Sequence, residues 1–215
     1  TIQQVIDKII AYHPPLGERE ATTCDTVKFG DTSIPCTGIA TAIYPSPDII
    51  REAAAGCNLL VVHEPSFYSH MDPLDWLSEN QTANCKMELL RQHQMVILRD
   101  HDRIHTHVPD GIFYGVVQEL GWQQYLKTDM NQPSDPSHIF VAEFEMPGIP
   151  VTELAAQIKE KLQLKQLRLL GNRETIVHKA AVGGHLFPNS SQVITAIEQH
   201  QIDLFIPLEM IDWEV

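Results

Sequence analysis

Apolar positions recur along this chain with two periods. Near the N-terminus Ile2, Val5, Ile6, Ile9 and Ile10 share one face at helical spacing, and Pro14-Pro15 closes the segment. Residues 22–36 read as a loop, with Gly30-Asp31 as a turn. From Gly38 to Ile43 a short β-branched run predicts a strand, and Ser46-Pro47-Asp48 opens a helix with Ser46 as N-cap and Pro47 in the first helical position. Ile49, Ile50, Ala53 and Ala54 form its buried side and Gly56 ends it. Leu59 to Val62 is then a continuous apolar strand, which completes a β-α-β unit. Residues 66–82 are a polar, aromatic-bearing loop, 84–93 a helix, and Val96-Ile97-Leu98 the heart of a second buried strand starting at Met95. Residues 112–120 form a helix ending at Gly121-Trp122.

Residues 127–137, rich in Pro, Ser and Asp, mark a boundary between a first half, 1–126, and a second, 138–215. The second half predicts a strand at 138–146 and an amphipathic helix with Val151, Leu154, Ala155, Ile158 and Leu162 on its face. Further strands are expected at Leu167 to Leu170 and Val177 to Val182. A tight turn at Gly183-Gly184 leads to a helix burying Val193, Ile194 and Ile197, and a last strand runs from Asp203 to Glu209. The stretch from Ile49 to Glu64 and the stretch from Ile194 to Glu209 both read helix, turn, strand, glutamate. A true repeat would place Glu209 like Glu64, facing the same cavity. The expected fold is α/β.

Composition narrows the function classes. The 215 residues, 43% hydrophobic, suffice for one large or two small domains. A formal net charge of −13, with no basic stripe, argues against nucleic-acid binding. No apolar run approaches the roughly 20 residues of a membrane span and no signal-peptide pattern is present, so a cytoplasmic protein is expected. Cys24, Cys36, Cys57 and Cys85 are dispersed and read as reduced, partly buried thiols. The chain starts at Thr1 and stops at Trp213-Glu214-Val215, and both ends are expected to continue in the native protein.

The candidate chemistry lies where two apolar strands stop. One ends on His63-Glu64-Pro65, the other on a segment with His101, Asp102, His105 and His107. Ligands in open α/β sheets bind beyond the carboxyl ends of strands, so neighbouring strands would gather these groups at one site. His63-Glu64 is not an HExxH zinc motif, because Phe67 stands where the second histidine belongs and Pro65 breaks the helix. His101 and His105 share a face on a helix or on a strand. Imidazoles with a carboxylate suit zinc, iron, manganese or cobalt, and Asp102 is either a ligand or the partner that orients a histidine. Phe67, Tyr68 and Trp76 wall a substrate pocket or pack at a subunit interface. Ser66 lacks the nucleophile-elbow glycines, and Gly183-Gly184-His185 lacks a phosphate-loop pattern.

The string GIATAIYPSPDIIREAAAGCNLLVVHEPSFYSH, followed by His101-Asp102-Arg103-Ile104-His105, Pro109-Asp110-Gly111-Ile112 and Leu120-Gly121-Trp122, resembles the Nif-three-like (NGG-one-interacting factor three) family. Some of its members are described as type-2 GTP cyclohydrolase I. The HEP and HDxxH…PDGI pattern resembles one subgroup. The resemblance implies two related α/β halves, with mixed sheets flanked by helices and a metal site in the cavity between them. It further implies a toroidal homohexamer and a dinuclear centre with up to two divalent ions per subunit. His63 matches a family ligand, Glu64 stands in place of a family histidine, and His101 and His105 match an HxxxD pair with His105 in the aspartate's place. Asp102 or Asp110 would supply the missing carboxylate. The family's C-terminal Gly-His…Glu ligands have no counterpart.

Two functions follow as expectations. One is a metal-dependent hydrolase, GTP cyclohydrolase-like, acting on a small molecule. The other is a non-catalytic metal-binding scaffold, reservoir or regulatory protein that acts through protein partners. A plain α/β domain with a histidine-rich loop remains if no divalent ion binds.

Overall fold

The computed structural model describes residues 1–131, 140–185 and 190–209. The chain divides into two compact units, Thr1–His107 and Val108–Val215.

The first unit is a four-stranded sheet between helices. Strands β1 (Val27–Phe29), β2 (Ile39–Ala42), β3 (Leu59–Val62) and β4 (Val96–Arg99) lie in the order β1-β4-β3-β2. β2, β3 and β4 run parallel, and β1 pairs antiparallel with β4. The two central strands are covered on both faces, which is why they read as unbroken apolar runs. Leu59, Val96 and Leu98 pack against Ile2 and Ile6 of helix α1 (Ile2–Tyr12) on one face. Leu60, Val62 and Ile97 meet α2 (Pro47–Ala53) and α3 (Gln81–Gln92) on the other, through Ile50, Ala53, Ala83 and Leu90. Side chains cap each helix start. Thr1 and Gln4 form a reciprocal capping box, Ser46 Oγ accepts from Ile49 N–H at 3.3 Å, and Asn80 accepts from Ala83 N–H at 2.8 Å.

β1 falls inside the segment that patterning reads as a loop. Three residues are too few for a period, and the strand is held instead by a close backbone approach. Gly30, at φ +97°, sits where a Cβ would lie 2.5 Å from the Met95 carbonyl oxygen.

The second unit holds a three-stranded sheet, β5 (Ala142–Pro150), β6 (Ile176–His185) and β7 (Leu204–Glu209), in that order. β5 pairs antiparallel with β6, and β6 parallel with β7. Helices α4 (Gly111–Leu120) and α5 (Val151–Lys161) share one apolar cluster with it. Helix α6 (Ser190–His200) contributes Val193 and Ala196 to another, with Phe140 and Ala181.

Two sequence expectations shift here. The boundary expected at 127–137 falls instead between His107 and Val108. The cause is α4: its apolar residues Phe113, Val117 and Leu120, with Trp122, belong to the same cluster as Ala142, Phe144 and Leu154. Part of the expected linker, 132–137, lies outside the described residues, as does Trp213-Glu214-Val215. Leu167 to Leu170 forms no strand: Leu167 and Leu169 pack on the cluster without joining a ladder. The helix–strand echo is present as α2-β3 and α6-β7, but the side chains of His185 and Glu209 lie outside the described residues. Among the described residues no helix is long and apolar enough to cross a membrane.

Candidate metal centre

Val62 of β3 is paired with Arg99 of β4, so both strands stop at one level and their next residues emerge side by side. His63 follows the first strand and Asp100-His101 the second. The segment beyond is neither α-helix nor strand. It turns through a short 3₁₀ helix, Ile104–Thr106, which folds His105 back toward the strand ends. Three imidazoles meet there. The rings of His63 and His101 stack with centroids 4.5 Å apart, and His105 meets each edge-on, at 5.1 Å and 5.2 Å. One ligating atom from each of the three lies within 4.8 Å of the others. The ring of His70, in the loop after β3, stands 5.7 Å from that of His101.

Hydrogen bonds fix which nitrogens face the centre. His63 Nδ1 lies 3.3 Å from the Asp100 carbonyl oxygen, a pure acceptor, so Nδ1 carries the proton and Nε2 keeps its lone pair. His101 Nδ1 lies 3.0 Å from Asp102 Oδ1 and is settled the same way. Burial holds the His63 pKa below its ordinary value, and charge on His101 or His105 would lower it further, against the opposing pull of the Asp100 carbonyl and Glu64. For Asp102, burial pushes upward, but hydrogen bonds from Thr23, His101 and the Cys24 N–H outweigh it and hold the carboxyl well below the usual range. Asp102 is thus an ionised brace for the His101 ring. Glu64 lies beside His63, with Oε1 3.7 Å from Nε2.

Two buried charged residues hold the frame, and patterning picks out neither. Arg99, completely buried, donates from Nε to the His63 carbonyl at 3.0 Å and from Nη1 to the His70 carbonyl, and its Nη2 lies 3.8 Å from Glu64 Oε2. Asp25 accepts three successive backbone N–H groups: His101 at 2.7 Å and Asp102 at 2.9 Å on Oδ1, and Arg103 at 2.7 Å on Oδ2. The only sequence hint is an arginine ending a fully buried strand, and Thr23-Cys24-Asp25 carries no hint at all. A second string runs behind. Asp100 Oδ2 lies 3.1 Å from His13 Nε2, and His13 Nδ1 lies 2.8 Å from His107 Nε2. Burial raises the Asp100 pKa, and His13 opposes the rise.

Cys24, His101 and Asp102 also offer ligating atoms within 4.8 Å of one another. Asp102 is already engaged by Thr23, the Cys24 N–H and His101, and burial pushes the Cys24 thiol up to about 12. Cys24 and Asp102 read as bracing for His101. Asp110 belongs to the second unit, where its carboxylate caps α4 by accepting from Ile112 and Phe113 N–H. Of the expected site residues, the structure brings His63, Glu64, His101, Asp102 and His105 together within one unit.

The sequence matches the family described as Duf34/NIF3 (NGG1p interacting factor 3) over residues 1–211. No curated protein matches it. Among solved structures, it is similar to the Staphylococcus aureus hypothetical protein SA1388, with 18% identity, a TM-score of 0.65 and coverage of 99% of this chain and 80% of that one. A Bacillus cereus protein related to NIF3 aligns at 12% identity and a TM-score of 0.68, covering 98% of this chain and 83% of that one. Reduced HcgD from Methanocaldococcus jannaschii aligns at 15% identity and a TM-score of 0.58, covering 99% and 80%. At these identities the likeness establishes the fold.

Proposed function

The chain belongs to the Duf34/NIF3 family, and from that premise we propose that it holds a divalent metal ion on His63, His101 and His105, with Glu64 completing the donor set, and uses it in hydrolysis of a small molecule. One observation carries the reading: three imidazoles from two adjoining strand ends, two of them with Nδ1 committed to an acceptor and Nε2 left to ligate. Such a set fits zinc, iron or manganese. Burial favours the neutral form of His63, so the ligand is available without a large proton penalty.

A bound metal would supply an acidified water and polarise the electrophile. The chain's own residues do the rest. Asp102 keeps His101 in the ligating tautomer. Arg99 fixes the backbone of His63 and steadies Glu64. A second ion per subunit and a homohexameric ring are carried with this reading from the family resemblance, and a cytoplasmic location from the dispersed, reduced thiols.

Elemental analysis of protein purified without chelator, followed by a hydrolysis screen of nucleotides and cyclic amides, tests it. About one to two metal ions per chain, and turnover abolished by His63→Ala without loss of folding, are expected. Metal with no turnover on any substrate, and no effect of Glu64→Gln, would leave the non-catalytic scaffold. A folded protein that stays metal-free in zinc or manganese would end the proposal.

A further inference from the structure

The loop that follows Glu64 is tethered, strained and aromatic, and the metal reading leaves it unused. Its backbone is held at five points by buried or half-buried charges. The Asp72 carboxylate, itself buried, accepts from the N–H groups of Ser66 at 2.9 Å and Phe67 at 2.6 Å. Lys86 donates to the Ser66 carbonyl at 2.6 Å, Lys28 to the Met71 carbonyl at 3.5 Å, and Arg99 to the His70 carbonyl. Phe67 and Leu77, both completely buried, anchor the two ends in the core.

The tethering holds side chains outward. Tyr68 is 62% exposed and Trp76 58% exposed, with ring centroids 6.3 Å apart at 61°. Tyr68 sits at φ +68° and Asp72 at φ +52°, in the left-handed region that an aromatic residue rarely occupies. An exposed tyrosine gains nothing in folding from that conformation, and strain of this kind collects at functional surfaces. The loop is also joined to the imidazole cluster, because His70, two residues after Tyr68, brings its ring to within 5.7 Å of His101.

The charges around it select the ligand. Asp75 and Glu79, which flank Trp76, are exposed, and Glu64 stands at the start of the loop. The cations of this region, Lys28, Lys86 and Arg99, are each directed at a backbone carbonyl of the loop. An anion would meet carboxylates here with its counter-charges already engaged. A flat ring would find two aromatic groups, and a positive charge on it would add attraction to their faces.

We propose that the loop from Ser66 to Trp76 is the substrate-recognition surface of the imidazole site and that it takes a flat aromatic ring bearing no negative charge. The inference deepens the metal reading by naming a substrate class, and it is tested without the metal so that the two fail separately. Nicotinamide, its cation 1-methylnicotinamide and its anion nicotinate share one ring with charges of zero, plus one and minus one. Their binding to metal-free full-length protein is followed by NMR, through the Trp76 indole and Tyr68 ring resonances.

The expected result is that 1-methylnicotinamide and nicotinamide bind, the cation at least ten-fold more tightly than nicotinate. Trp76→Ala should weaken the cation about five- to ten-fold, and Trp76→Phe much less. Tyr68→Gly, which relieves the left-handed backbone, should raise the melting temperature and weaken ring binding together. A loop with only a structural role would show the first change without the second. Equal binding of all three, preference for nicotinate or no binding overturns the proposal. So does a Trp76→Ala variant that changes particle size by light scattering and leaves ring binding intact, because the patch is then an interface between copies. Zinc binding without ring binding sinks this inference alone; ring binding without zinc sinks only the metal reading.

Discussion

The imidazole rings of His63 and His101 stack 4.5 Å apart at 23° because their strands are parallel neighbours paired at Val62 and Arg99. Register therefore decides the site: sliding one strand by a residue would turn every side chain beyond it to the other face. The arrangement ranks substitutions by what each does to a ligand. His101→Ala removes a donor, whereas Asp102→Asn keeps the donor and loosens its orientation. Asp102→Asn should weaken metal binding roughly 10–100-fold, and His101→Ala more. Competition against a chromogenic chelator measures both. Equal affinity for wild type and Asp102→Asn would show that the Asp102 contact orients nothing.

Arg99 joins stability to the site. Its side chain is fully enclosed and reaches two carbonyls and the Glu64 carboxylate. Removing one member of a buried charged set leaves its partners without a counterpart, at a cost of about 3–5 kcal/mol. Arg99→Leu should show that loss in urea unfolding, and the metal affinity of whatever remains folded should fall because the His63 backbone loses its tie. A loss below about 1 kcal/mol would mean that the loop re-forms its hydrogen bonds without the guanidinium.

Much of the first unit could be read from periodicity because the physics there is strong. Leu59 to Val62 and Val96 to Leu98 are buried on both faces, and strands of that kind leave an unbroken apolar signature. Ser46 and Pro47 announce α2 by the chemistry of a helix start. Placing His63 and His101 at one strand level needs only that these strands be parallel neighbours, and the resulting cluster followed. The frame around it was not legible. Asp25 acts through its carboxylate on the backbone of residues 101–103, and a single acidic residue in an irregular segment has no pattern. The i, i+4 spacing of His101 and His105 suggested a regular element, yet a turn and a 3₁₀ helix bring them together. α4 misled the boundary because an amphipathic helix shows that it has an apolar face without showing which core takes it.

Asp25 offers a test of that hidden frame. Asp25→Ala leaves three N–H groups on the ligand-bearing segment without their acceptor, and an unsatisfied buried donor costs roughly 1–3 kcal/mol. The N–H groups of residues 101–103 can reach water by local opening, so the expected loss is about 2–3 kcal/mol. Faster amide hydrogen exchange should be confined to this segment and its contacts. Exchange rising evenly across the first unit would show instead that Asp25 supports the sheet as a whole.

Lys86 gives the fold a pH dependence with a predictable sign. Its amine points at the Ser66 carbonyl and lies 5.2 Å from the Phe67 ring centroid. Burial lowers its pKa from 10.5 to about 8, and the Asp72 charge only partly opposes the shift. In the unfolded chain Lys86 keeps its proton until about 10.5, while in the folded chain it gives it up from about 8. Between these values the unfolded state binds more protons, so this residue makes stability rise with pH across the window. Cys24 acts in the opposite sense, since its buried thiol is pushed up to about 12 and the unfolded thiol ionises first. Comparing wild type with Lys86→Met removes that background, because both proteins carry Cys24. Urea-unfolding free energies from pH 7.5 to 10 should climb more steeply in wild type than in Lys86→Met. Parallel curves would mean that the amine is solvated enough in the folded state to keep its ordinary proton affinity.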